Sequence, residues 1–497
     1  MSSVVSPVVS SFVSPVGSSF VSGAAGSAAG SRRRVFLPAL WVLAGVVLAS
    51  CSAARGGDPG TDPGPETRAD LREADLSLPP CRGLGCFVAV CPPGRDTTVV
   101  GRVTAPNGED PIRDALVYVP SGGAPEEFPP QVACEVCQSP VGDRPIAITG
   151  TDVDGTFELR GVPVTAETPI VIQKGRWRKV VRLPIGKCEK QGISDEQGRL
   201  PRDRSEGSIP AMAVAVGEWD SIECVLGHIG LAKSEFTSPL GSGAVHLYEN
   251  ERPGGSGAPG GVALNSLLTS LPKMLQYNLI FLNCSDDDQS RGLLADAGVR
   301  KNLEEYVRRG GRMYVTDWSY DFIQQVPEFA PFICYNDDKP CTVTTPHGFH
   351  EATSALRTGS DTLFYADVDQ TTPGGRALSD WLTKLPKPLP GTKVRIEDPV
   401  ATFVLIQQLA QDPLAYPATA WLSADLKMKR RPVTVSFDYP AGPGACGRVL
   451  FSSYHTREHA DHAVQFPAYC PTGAALAQEH VLEYLIFELG ACVQPPG

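Results

Sequence analysis

The sequence predicts a multidomain protein, a β-sandwich followed by an α/β domain with a mostly parallel sheet, and three observations carry that expectation. Between Thr97 and Pro184, short β-type runs alternate with turn signals at close spacing, the pattern of a sandwich. From about Ile209 apolar runs alternate with helical stretches instead, which calls for parallel strands joined by crossovers. The chain has 497 residues, more than a single core organises at roughly 100–200 residues per domain. An apolar fraction of 42% and a charged fraction of 20% are ordinary for a globular protein, and 50 glycines with 45 prolines favour turn-rich β structure. The net charge of −11 is spread without a basic patch, so nucleic acid is not an expected partner.

Residues 1–50 read as a signal peptide region. After an uncharged Ser/Val/Gly/Ala/Pro stretch come Arg32, Arg33 and Arg34, then the apolar run VFLPALWVLAGVVLAS, ending on Ala49 and Ser50. That run is about 16 residues, shorter than the ~20 a spanning helix needs, and contains Pro38. Leu48-Ala49-Ser50-Cys51 resembles the bacterial lipobox. The resemblance implies cleavage before Cys51, a diacylglyceryl group on its sulfur, and attachment to a membrane of the cell envelope. Ser52 rather than Asp after that cysteine leans, by the same resemblance, towards the outer membrane. Ser31 to Leu37 also resembles a twin-arginine export signal, with a plain charged leader as the alternative. Residues 51–80, rich in Pro, Gly and Asp, read as a flexible tether.

Residues 81–190 hold a Cys-rich entry and the expected sandwich. Its strands are Thr98–Val103, Ala115–Val119, Ile146–Thr149, Thr156–Arg160, Pro169–Gln173 and Lys179–Leu183. Asp154-Gly155 is a tight-turn signal that predicts a hairpin between the third and fourth. VVGRVTAPNGEDPIRDALVYVP and TGTDVDGTFELRGVPV resemble the carboxypeptidase regulatory-like domain, a transthyretin-like sandwich. The resemblance implies an accessory module without catalytic residues. Asp152 to Gly155 lacks the downstream ligands of a calcium loop. Cys134 and Cys137, with most of Cys81, Cys86, Cys91 and Cys188, are expected in structural disulfides, as suits an oxidising compartment, with zinc at the Cys-x-x-Cys pair as the alternative. With Cys51 lipidated, thirteen of the fourteen cysteines remain, so at least one is unpaired or pairs between chains.

Residues 209–492 read as the α/β domain. Strands are expected at Ala211–Val216, Ala244–Tyr248, Asn278–Asn283, Arg312–Thr316 and Arg448–Ser453, with helices across Asp220–Ile229, Ala263–Leu275 and the stretch ending at Gly310-Gly311. Val481, Leu485 and Leu489 mark a closing helix. YNLIFLNCSDDD, VRKNLEEYVRRGGRMYVTDWS and GRVLFSSYHTREH together resemble the class I glutamine amidotransferase-like superfamily, especially its ThuA-like branch. Amidotransferases of this class set a cysteine nucleophile on a sharp glycine-flanked strand-to-helix turn. Here Arg312–Thr316 runs into Asp317-Trp318-Ser319-Tyr320, with neither cysteine nor glycine. Glutamine hydrolysis is therefore not expected.

Candidate site residues follow from the same segments. Cys284 ends an apolar strand, where open α/β sheets place ligands, but the carboxylates of Asp286, Asp287 and Asp288 beside it oppose a thiolate. Those aspartates fit a solvated helix start. His455, Glu458, His459 and His462 would share one face of a helix and could hold a metal, with a polar loop as the alternative; Asp461 lies among them, and His347 and His350 are more remote candidates. No cofactor is expected. The function expected is that of a membrane-tethered extracytoplasmic binding or scaffolding module, with an envelope protein or a glycan as partner class. The alternative is an extracytoplasmic hydrolase or carbohydrate-active enzyme with its site near Cys284, Asp317 and His455.

Overall fold

The structure, a computed structural model, describes residues 81, 83–134, 144–217, 219–250, 258–284, 287–335, 354–356, 363–397, 402–410, 412–457 and 464–490. The signal region, the tether and Cys51 lie outside these. So do Cys137, Asp286, His347, His350, Glu458, His459, Asp461 and His462.

The N-terminal part folds into two small sheets. Its strands are β1 (Thr98–Arg102), β2 (Leu116–Val119), β3 (Ala147–Gly150), β4 (Thr156–Arg160), β5 (Thr168–Lys174), β6 (Trp177–Leu183) and β7 (Lys190–Gly192). One sheet runs β4-β1-β7 and the other β3-β2-β5-β6. Val99, Phe157 and Leu159 from the first sheet and Val117, Ile170 and Ile172 from the second lie in one apolar cluster. The Asp154-Gly155 turn forms: Gly155 has φ +80° and the Asp152 N–H donates to the Thr156 carbonyl at 2.9 Å. The predicted hairpin does not. β3 pairs with β2 and β4 with β1, so the turn is a corner between sheets. A two-residue turn signal specifies a local reversal only; partner choice follows from where Phe157 and Leu159 are buried beside Val99.

The α/β part contributes β8 (Met212–Val216), β9 (Phe236–Thr237), β10 (Val245–Glu249), β11 (Leu279–Leu282), β12 (Arg312–Thr316), β13 (Ile333–Cys334), β14 (Ser354–Leu356), β15 (Leu363–Val368), β16 (Lys393–Glu397), β17 (Thr402–Val404), β18 (Gln408–Leu409), β19 (Ala418–Leu426), β20 (Lys429–Tyr439) and β21 (Gly447–Ser452). Ten of them form one sheet in the order β16-β15-β19-β20-β21-β12-β11-β8-β10-β9. From β21 to β9 all neighbours are parallel, and from β16 to β21 all are antiparallel. The sheet is thus mixed rather than mostly parallel, because β15, β16, β19 and β20 add an antiparallel half from a stretch in which no strand is expected above. β21, the last of the described strands, lies in the interior of the sheet between β12 and β20.

The parallel strands are apolar on both faces, as burial on both sides requires. Ile280, Leu282, Met313, Val315, Val449 and Phe451 pack on one face with Val299, Leu303, Tyr306 and Val307 of helix Ala297–Arg308. Val214, Phe281, Tyr314 and Leu450 join the opposite cluster, which also holds Val481, Leu482, Leu485 and Ile486 of helix Ala477–Leu489 and the apolar residues of the small sheets. The expected helix across Ala263–Leu275 is broken into Asn265–Leu268 and Leu271–Met274. Pro272 sits in the first turn of the second, the place where its missing N–H is tolerated.

Polar and covalent links join the small sheets to the α/β part. The Trp381 indole N–H donates to the Pro111 carbonyl at 2.6 Å, and Lys174 Nζ lies 2.9 Å from Glu488 Oε1. Cys134 bonds to Cys446 across 312 positions. Cys81–Cys86, Cys91–Cys188 and Cys224–Cys470 are further disulfides, and Cys334 is also disulfide-bonded. Cys284 alone is a free thiol among the described cysteines. No described helix is long and apolar enough to cross a membrane.

Candidate functional site

Register brings the site together. β11, β12 and β21 run parallel and side by side, with Leu282 opposite Val315 and Thr316 opposite Ser452. Residues just beyond their carboxyl ends therefore emerge on one rim of the sheet, where open α/β folds bind ligands. Cys284 follows β11, Asp317 follows β12 directly, and His455 follows β21. Cys284 Sγ is 3.8 Å from Asp317 Oδ2, and His455 Nε2 is 3.0 Å from the same oxygen. The three ligand-type atoms all lie within 4.8 Å of one another, and all three residues are buried.

The surrounding backbone holds each of them. Asp317 has φ +42°, in the left-handed region that side-chain-bearing residues seldom adopt, Asp more readily than most. Its Oδ1 accepts the Val404 N–H at 2.6 Å, which leaves Oδ2 for the histidine and the thiol. The Cys284 N–H donates to Thr316 Oγ1 at 2.9 Å. Next to His455, the Thr456 and Arg457 N–H groups donate to Asp220 Oδ1 at 3.0 and 3.2 Å. Arg457 then makes two bonds to buried Glu479, at 2.7 and 2.9 Å. Charge-assisted pairs of this kind are directional as well as strong.

Electrostatics limit what the thiol can do. Burial pushes Cys284 up to about 12, with the Asp317 carboxylate adding to the rise and His455 opposing it. Since the thiolate is the reactive form, the free thiol is a poor nucleophile at neutral pH. Burial likewise raises Asp220 to about 6, against the pull of His455, and Glu223 to about 7, against a hydrogen bond from Tyr469. Tyr469 O–H donates to Glu223 Oε1 at 2.6 Å and Asn283 Nδ2 to Glu223 Oε2 at 3.1 Å.

Of the residues singled out by sequence, Cys284, Asp317 and His455 are brought together. His455 lies in an irregular segment after β21 rather than on a helix, and Glu458, His459 and His462 lie outside the described residues, as does Asp286. A helix does begin at Asp287. Asp220 and Glu223 were missed. The signal for them was a pair of acids inside the apolar stretch running into Ile222, Val225 and Leu226, where a charged side chain must have partners. A second group, Asp110, His480 and Glu483, also has ligand atoms within 4.8 Å of one another, with Glu483 buried and His480 Nδ1 3.2 Å from its Oε2.

Close packing against the site gives one prediction. A Cβ on Gly217 would sit 2.2 Å from the Cys284 carbonyl oxygen, a backbone atom that cannot swing away. Gly217→Ala is expected to destabilise the fold by about 1–3 kcal/mol, the range for overpacking. A thermal or urea unfolding midpoint equal to that of the parent would rule this out.

No protein-family profile and no curated protein sequence matches the chain. Solved structures similar to it include the N-terminal domain of mmIFT52, 10% identical over 56% of this chain and 96% of that one at a TM-score of 0.31. A ThuA-like protein from Parabacteroides merdae is 12% identical over 57% of this chain and 89% of that one, at 0.30. Another from Bacteroides uniformis is 12% identical over 50% and 84%, at 0.24. The distant structural neighbours of this chain thus include ThuA-like proteins, at low identity and across about half of its length.

Proposed function

We propose that this chain is an extracytoplasmic lipoprotein, tethered through Cys51, whose α/β part is a ThuA-like binding module with its site at Cys284, Asp317 and His455. On this reading it does not hydrolyse glutamine, and the small sheets are a carboxypeptidase regulatory-like accessory module. The observation that carries the reading is the residue at the end of β12. The backbone there makes a sharp turn with positive φ, but the side chain it presents is Asp317, while the free thiol beside it, Cys284, follows the neighbouring strand and is buried, with its pKa raised. A carboxylate cannot replace a thiolate in forming the acyl intermediate of amide hydrolysis. The disulfides suit an oxidising compartment, which supports export.

Two measurements test this. Cys51→Ala should move the protein from the membrane fraction to the soluble one and abolish acyl labelling; a variant still labelled and membrane-bound would sink the tether. The purified protein should release no ammonia from glutamine. Ammonia release that disappears in Cys284→Ala would overturn the binding-module reading. Convergence of a thiol, a carboxylate and an imidazole at the strand ends favours a second reading, an extracytoplasmic hydrolase. Turnover of an ester or glycoside substrate that is lost in His455→Ala would establish it.

A further inference from the structure

We infer that Cys284 Sγ, Asp317 Oδ2 and His455 Nε2 form a three-ligand site for a divalent transition-metal ion of the zinc class. The inference deepens the reading of this rim as the binding site and rests on it. One sulfur, one imidazole nitrogen and one carboxylate oxygen are the three ligand types zinc accepts, and three protein ligands leave a fourth position for water or a bound molecule.

The spacing fits such an ion. With bonds of about 2.3 Å to sulfur and about 2.1 Å to nitrogen and oxygen, a tetrahedral ion sets sulfur about 3.6 Å and nitrogen about 3.4 Å from the carboxylate oxygen. The separations here are 3.8 and 3.0 Å. Both separations from the carboxylate oxygen are thus within a few tenths of an ångström of that geometry, and the sulfur and the nitrogen lie within 4.8 Å of each other. The three ligands follow three adjacent parallel strands of one sheet, one to three residues past their carboxyl ends, so strand register brings them to the same rim.

Two further features agree. Metal ligands are commonly oriented by hydrogen bonds from neighbours. The Val404 N–H holds Asp317 Oδ1 and thereby directs Oδ2 to the other two groups, while Thr316 fixes the Cys284 backbone. The second feature is the redox state of the cysteine. Every other described cysteine is in a disulfide, and Cys284 is kept as a thiol against a carboxylate and an imidazole. On metal binding the Sγ–H bond breaks, its proton leaves to solvent, and the sulfur lone pair forms the bond to the ion.

The test uses the full chain, freed of metal with a chelator and titrated with Co2+ and Zn2+. One equivalent of Co2+ should bind with a thiolate-to-cobalt charge-transfer band in the near ultraviolet, and Zn2+ should displace it. Cys284→Ser should remove the band, and His455→Ala should weaken binding by at least about a hundredfold, more than loss of an orienting neighbour costs. Circular dichroism of each variant separates loss of the site from loss of the fold, and the parent titration stands even where a variant does not fold. Absence of the band in the parent overturns the inference in favour of a metal-free hydrogen-bonded trio. A band that survives Cys284→Ser overturns it in favour of a different site. Ammonia release from glutamine, assayed on the same samples, reports separately on the binding-module reading, whether or not metal binds.

Discussion

Raising the pH from about 5 to about 8.5 should lower the unfolding free energy by roughly 2–4 kcal/mol through Glu483 alone. Burial raises this carboxyl from 4.5 to about 7; the His480 hydrogen bond opposes the rise and Asp110 adds to it. At about 1.36 kcal/mol per pKa unit, a rise of this size corresponds to about 3 kcal/mol. The sign follows from proton counting: the folded state holds a proton that the unfolded state has released. The favourable contribution is therefore complete below about 4.5 and is lost as the pH climbs through about 7. His480 is also raised, its burial outweighed by Glu483, so its contribution falls in the same direction. Urea titrations across this range should show the unfolding midpoint dropping, and Glu483→Gln should make the slope shallower while Asp220 and Glu223, raised by burial to about 6 and about 7, keep their share of it. A midpoint constant or rising with pH, or a slope untouched by that substitution, would contradict the assignment.

Removing the Cys134–Cys446 bridge should cost about 4–5 kcal/mol, the entropy of closing a loop of hundreds of residues in the unfolded chain. The two ends are 312 positions apart, although the overlapping Cys224–Cys470 bond shortens the effective loop. The double variant Cys134→Ser, Cys446→Ser avoids leaving one reactive thiol. Its unfolding free energy in urea should fall by that amount with the other disulfides intact. A loss below about 1 kcal/mol would contradict the loop-entropy account of this bridge.

How much was legible in the sequence depended on how local the signal was. β8, β10, β11, β12 and β21 could be read because strands buried on both faces are continuous apolar runs, and helix Ala297–Arg308 because its buried residues recur at helical spacing. The hairpin of β19 and β20 could not. Its turn is Lys427-Met428, both at positive φ, with none of the Asn, Asp or Gly that usually announce such a turn. The hairpin expected at Asp154-Gly155 failed for the converse reason, a good local signal whose flanking strands found partners in different sheets. At the site, Cys284, Asp317 and His455 were each visible as polar residues ending apolar strands. Their convergence was expected only under the hydrolase alternative, because it depends on β11, β12 and β21 being neighbours, which no local signal specifies. Asp220 and Glu223 were hidden in a stretch that reads as an ordinary amphipathic helix.

The position of β21 has a consequence for how the chain is made. Synthesis runs from the N-terminus, so β12 is complete long before Gly447–Ser452 leaves the ribosome, and until then its edge has no permanent neighbour on that side. His455 also arrives only with this last strand. Unpaired apolar edges that wait for a distant partner fold slowly and attract other chains. The nascent protein is thus expected to depend on chaperones until Gly447–Ser452 has emerged, and a truncation just before Gly447 should yield aggregate instead of a smaller soluble fold.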